Sequence, residues 1–103
     1  MHVILCNAPP DAAPALAKLL VESGLAACVN IVPGVRSFYV WQGKLVDDAE
    51  STLLIKARAE SIGALRAALV AAHPYEIPEV LVLPVEVALS HAPYVEWVRQ
   101  AGR

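Results

Sequence analysis

Ala26-Ala27-Cys28-Val29-Asn30-Ile31-Val32-Pro33-Gly34-Val35-Arg36-Ser37-Phe38-Tyr39-Val40-Trp41-Gln42-Gly43-Lys44 is the stretch that decides the fold. Val, Ile, Phe, Tyr and Trp dominate it, and such side chains suit a pleated surface better than a helix. Gln42-Gly43 marks a tight turn, because glycine supplies the positive φ that hairpins need. A return limb, Leu45 to Arg58, ends in the apolar run Leu53-Leu54-Ile55. Each limb is about fifteen residues, which at ~3.3 Å per residue reaches ~50 Å. A compact domain of this chain length is only about 35 Å across. The hairpin must therefore bend, with Pro33-Gly34 the natural place, or its distal half must be covered by another subunit. That half carries Phe38, Tyr39, Val40 and Trp41, an apolar patch of the kind that marks an interaction site. An oligomer is expected.

Working outward, His2-Val3-Ile4-Leu5-Cys6-Asn7 reads as a buried central strand. Pro9 and Pro10 stop it, Asp11 is expected to cap the following helix, and Pro14 falls in its first turn. Ala12, Leu16, Leu19, Leu20 and Ser23 share a helical stripe, and Gly24 closes the helix. Downstream of the hairpin a second helix is expected from about Glu60 to Ala72, with Ile62, Leu65, Leu69 and Ala72 on its apolar stripe. Pro74 ends it. Val80 to Val87 reads as a strand in which Pro84 demands an edge or a bulge. A last helix from Ser90 is expected to present Tyr94, Trp97, Val98 and Ala101 on one side. The order is β-α-β-β-α-β plus a C-terminal helix. That is the ferredoxin-like α+β plan, a four-stranded antiparallel sheet with helices on one face.

The chain has 103 residues, one domain spanning 1–103. Hydrophobic residues make up 57% and charged ones 17%, an apolar excess that again favours burial between subunits. A net charge of −2, with eight scattered Lys and Arg, gives no footprint for nucleic acid. No stretch is long and apolar enough to span a membrane, and the N-terminus lacks the pattern of a secretory signal. Cys6 and Cys28 form no C-x-x-C pair and no disulfide framework, so a cytoplasmic location is expected.

Chemistry is sparse. No nucleophile elbow, zinc-protease helix or phosphate loop is present, and no enzyme is expected. Cys6 and His73 are the candidate metal ligands, since thiolate with imidazole suits copper or zinc. Their structural alternatives are a small core residue for Cys6 and a helix-terminal cation for His73. Two donors do not complete a tetrahedral site, so Glu76, Glu79, water or a neighbouring subunit would have to supply more. His2 and His91 read as surface residues, and Asp47-Asp48-Ala49-Glu50 as a solvated face. Tyr75 could line a pocket with Tyr39 and Trp41, or simply belong to a core or interface.

Ala26 to Gly34, Tyr39 to Lys44, Leu54-Ile55-Lys56, His73-Pro74-Tyr75-Glu76-Ile77-Pro78-Glu79, the opening Cys6-Asn7-Ala8-Pro9 and the closing Tyr94-Val95-Glu96-Trp97 together resemble the CutA divalent-cation tolerance family. The resemblance covers nearly the whole chain. It implies a tight homotrimer, similar in architecture to the PII nitrogen-signalling proteins, in which the long hairpins join the subunits through Phe38, Tyr39, Val40 and Trp41. It also implies binding of copper or other divalent metal ions. Copper ligands in bacterial members are a strand-one cysteine and a His-His pair before Pro-Tyr, matched here by Cys6 and His73. Ala72 replaces the first histidine and leaves that set one ligand short. The alternatives are a PII-like pocket between subunits near Tyr39, Trp41, Lys56, Tyr75 and Glu76, or a trimeric scaffold.

Overall fold

A computed structural model describes residues 1–101. Four strands and three helices follow in the expected order: β1 (His2–Ala8), α1 (Ala13–Glu22), β2 (Cys28–Trp41), β3 (Lys44–Ala57), α2 (Ile62–Ala72), β4 (Leu81–Pro84) and α3 (Ala92–Ala101). The sheet order is β2-β3-β1-β4 with every neighbouring pair antiparallel, which is the ferredoxin-like arrangement.

Alternation along the two central strands builds the core. Ile4, Cys6 and Ala8 on β1, with Leu53, Ile55 and Ala57 on β3, are all essentially inaccessible. The register pairs Ile4 with Ile55 and Cys6 with Leu53, so these side chains share one face. Against that face lie Leu16 and Leu20 of α1 and Leu65 and Leu69 of α2. Each fully buried Leu or Ile contributes about 1.5–3 kcal/mol relative to exposure. Helix α1 ends as expected at Gly24, φ +76°, with the Gly24 and Leu25 N–H groups donating to the carbonyls of Val21 and Leu20.

The hairpin runs the length of the molecule. Both limbs are 14 residues long, and the longest molecular dimension is 45 Å against 27 and 21 Å for the others. Gln42 (φ +51°) and Gly43 (φ +79°) form the two-residue turn. Between Val32 and Val35 the register slips: Pro33 and Gly34 stand opposite the single residue Ser51. The expected bend is thus a β-bulge, with Gly34 at φ +73°. Beyond it Phe38, Val40 and Leu45 are 60%, 68% and 75% exposed.

Several expectations are corrected. Asp11 does not cap α1; the N-cap is Ala12, held by a turn in which the Ala12 and Ala13 amides donate to Pro9 O. Leu19 and Ala72 face outward rather than joining their stripes. Strand β4 is shorter than the apolar run, ending at Pro84, where the ring removes the donor, and it lies at a sheet edge as proline requires. Helix α3 starts at Ala92 and buries Val95 and Val98, while Tyr94 and Trp97 stack on each other half-exposed at 5.7 Å. His2, expected at the surface, is half-buried in β1. Among the described residues no helix is long and apolar enough to cross a membrane.

Candidate functional site

Strand β4 pairs with β1 only from His2 to Leu5. Past Leu5 that edge of β1 lies open, and the segment after α2 closes over it. His73 is the hinge of this closure. As C-cap of α2 it leaves the helix in an extended conformation (φ −71°, ψ 137°), the region that a following proline imposes. The ring is buried and turned onto β1, where Nε2–H donates to Asn7 O at 2.9 Å. Nδ1 accepts the Tyr75 backbone N–H at 3.1 Å. One nitrogen donates and the other accepts, the pattern of a neutral imidazole.

Cys6 reaches the same point from the core side. Its Sγ–H donates to Asn7 O at 3.7 Å, so thiol and imidazole converge on one carbonyl oxygen. The two residues singled out in the sequence thus share one acceptor. Burial pushes the Cys6 thiol up to about 12, and the charges of Glu79 and Glu50 push the same way. The group is held as a thiol, not a thiolate, and a metal would have to displace its proton. Both donors have soft or borderline character, which suits copper or zinc, but each is already hydrogen-bonded. Among the described residues no three His, Cys, Asp or Glu side chains form a metal-holding group.

On the sheet face opposite α1 and α2 a second constellation surrounds Asn7. Glu50, across from Val35 at the bulge, is only 5% exposed as a residue, and its Oε2 accepts the Tyr75 hydroxyl at 2.7 Å. Tyr39 donates to Asp48 at 2.5 Å. Burial, then the bond to Glu50, raises the Tyr75 phenol well above its ordinary value; the bond to Asp48 raises that of Tyr39. The tilted His73 and Tyr75 rings, 4.7 Å apart, tie the two constellations together. Beside them opens a cleft of about 770 Å³, whose walls include Tyr39, Trp41, Glu50, Tyr75, Glu76 and Glu79.

Tyr39, Trp41, Tyr75 and Glu76 thus meet at one cleft within the chain. Lys56 does not. It pairs with Cys28 near the other end of β3, and its ammonium donates to Asn30 Oδ1; six strand positions from Glu50 amount to about 20 Å. Phe38 borders the cleft at the exposed hairpin end, with the Arg36 guanidinium 5.2 Å above its ring. Asn7 and Glu50 are the residues that sequence reading missed. The acidic run is divided by strand alternation: Asp47 takes Arg36 at 2.7 Å on one face, whereas Asp48 and Glu50 turn to the tyrosines on the other. Counting back from the Gln42-Gly43 turn could have separated those faces, but the bulge was needed to place Glu50.

The family described as CutA1 divalent ion tolerance protein matches residues 2–101. The chain belongs to the CutA divalent-cation tolerance family. It is 43% identical over 100 residues to the divalent-cation tolerance protein CutA of Thermus thermophilus, covering 96% of this chain and 95% of that one. Identity to the Pectobacterium atrosepticum CutA is 47% over 102 residues, covering 98% and 91%. Among solved structures, the PII-like protein CutA from Nostoc in its apo form superposes with a TM-score of 0.96 at 37% identity, covering 100% of this chain and 98% of that one. The CutA fold is therefore the PII-like one.

Proposed function

We propose that this CutA chain acts in divalent-cation tolerance as a homotrimeric binding protein, not an enzyme, and that Cys6 and His73 take a soft or borderline cation, copper or zinc. The carrying observation is the convergence of Sγ and Nε2 on the Asn7 carbonyl. Uptake requires the cation to replace the thiol proton and one bond of the His73 ring. Water, Glu79 or a neighbouring subunit supplies the remaining donors. Binding therefore releases protons and strengthens as pH rises. Free Cys6 and Cys28 suit a reducing cytoplasm. Titration with Cu(I) under reducing conditions against a chromophoric chelator tests the site. Uptake lost in Cys6→Ser and His73→Ala, and strengthened in Ala72→His, is expected. No uptake by the wild-type chain, or uptake indifferent to Cys6→Ser, would remove the proposal.

A second reading has its own observation. The cleft at Tyr39, Trp41, Tyr75 and Glu76 falls in the ~300–1,000 Å³ range of small-molecule sites, which supports a PII-like ligand-binding role. A thermal-shift screen of small molecules tests it, with stabilisation of the size mass action allows as the expected result.

A further inference from the structure

We infer that uptake of a cation at His73 Nε2 switches the tautomer of this ring and releases the Tyr75 amide, so that the segment 74–79 responds to the state of the site. This rests on the reading of Cys6 and His73 as cation ligands. The tautomer in the structure is set by partners of fixed character. Asn7 O can only accept, so the ring proton is on Nε2; the Tyr75 backbone N–H can only donate, so Nδ1 is bare. Pro74 carries no N–H, so the first amide donor after His73 is that of Tyr75.

Coordination reverses that assignment. A neutral imidazole carries one ring proton, and giving the Nε2 lone pair to a cation leaves that proton on Nδ1. Two N–H groups then face each other where the Tyr75 amide donated, and one of them must withdraw. In the proton balance, the Cys6 thiol proton goes to solvent and the imidazole keeps its own at the other nitrogen. The ring has the lesser freedom, since His73 is buried and caps α2. Pro74, Glu76 and Ile77 are exposed and lie in no helix or strand, so the segment is the part that moves. Its second anchor, the Tyr75 hydroxyl on Glu50 Oε2 at the hairpin bulge, resists this movement. Loss of that anchor therefore favours uptake, and by linkage uptake loosens the anchor.

NMR of the isotopically labelled full chain provides the test, reading the His73 ring nitrogens and the Tyr75 amide during titration with Cu(I), a closed-shell ion that leaves the lines sharp. Without copper, His73 is expected as the Nε2–H tautomer with a bare Nδ1. With copper, the proton is expected on Nδ1, and the Tyr75 amide exchanges with solvent about fivefold faster. Tyr75→Phe keeps the amide and removes the second anchor, and is expected to bind Cu(I) about fivefold more tightly. General damage to the site would weaken binding instead. Copper bound with Nδ1 still bare, with Tyr75 exchange unaltered, or no more tightly in Tyr75→Phe overturns the switch and leaves the cation site standing. Absence of any copper-dependent change at Cys6 and His73 removes both.

Discussion

At the scale of single residues, the site is governed by groups held in their uncharged forms beside carboxylates. Cys6 is 0% exposed, so its alkylation must wait for local opening. With iodoacetamide at about pH 8, only Cys28 is expected to react in the native protein, and both cysteines after denaturation. Mass spectrometry of the products checks this; rapid native labelling of Cys6 would contradict the burial.

Tyr75 gives the pH dependence. Its folded-state value is raised, so the fold favours the protonated phenol. The stability it contributes is complete below the unfolded value, near 10.0, and declines as pH rises beyond it. Tyr75→Phe should cost about 1 kcal/mol near neutrality, because Glu50 loses its hydrogen bond. The variant should also lose part of the wild-type stability decline above about pH 10. Urea denaturation of both proteins as a function of pH measures the two effects together.

Among the elements, the bulge carries the clearest conformational demand. Gly34 sits at φ +73° with nothing within 4 Å of the position a Cβ would take. Gly34→Ala therefore meets no steric neighbour, and its cost is purely the left-handed backbone, about 1 kcal/mol. A melting temperature lowered by a few degrees, with the far-UV spectrum unchanged, is the expected result. No change would mean that the bulge had relocated along β2. His73 shows the same coupling of local sequence to geometry. Pro74 forces it out of the helix, and the exit direction delivers its ring to the strand edge that β4 leaves open.

For the whole molecule, the exposed hairpin end is the feature to explain. Val40 and Leu45 face each other across the strands and are 68% and 75% exposed, with Phe38 nearby at 60%. A homotrimer that covers this surface predicts three times the chain mass by light scattering, since interfaces with an apolar core hold obligate assemblies together. Val40→Asp should drive the protein toward monomer, because a charge buried without a partner costs several kcal/mol. A monomeric wild type would require another occupant for the hairpin.

What the sequence by itself determined was local in origin. Apolar alternation, the Gln42-Gly43 turn, the prolines and the Gly24 stop yielded the element order and the antiparallel plan, because those signals act within a few residues. Cys6 and His73 were singled out by residue type and family motifs, and in the structure each hydrogen-bonds the Asn7 carbonyl. Tertiary structure alone decided the rest. Glu50 looked like one acid in a solvated run until the bulge and the strand pairing set it beneath Tyr75. Only the register shows that, within one chain, Lys56 lies at the far end of β3 from the aromatics. On α3, Val98 is buried with Val95, while Tyr94 and Trp97 stay half-exposed. In each case the side chain's surroundings come from residues far away in the chain, and no periodicity within a segment encodes which distant strand or loop will lie across it.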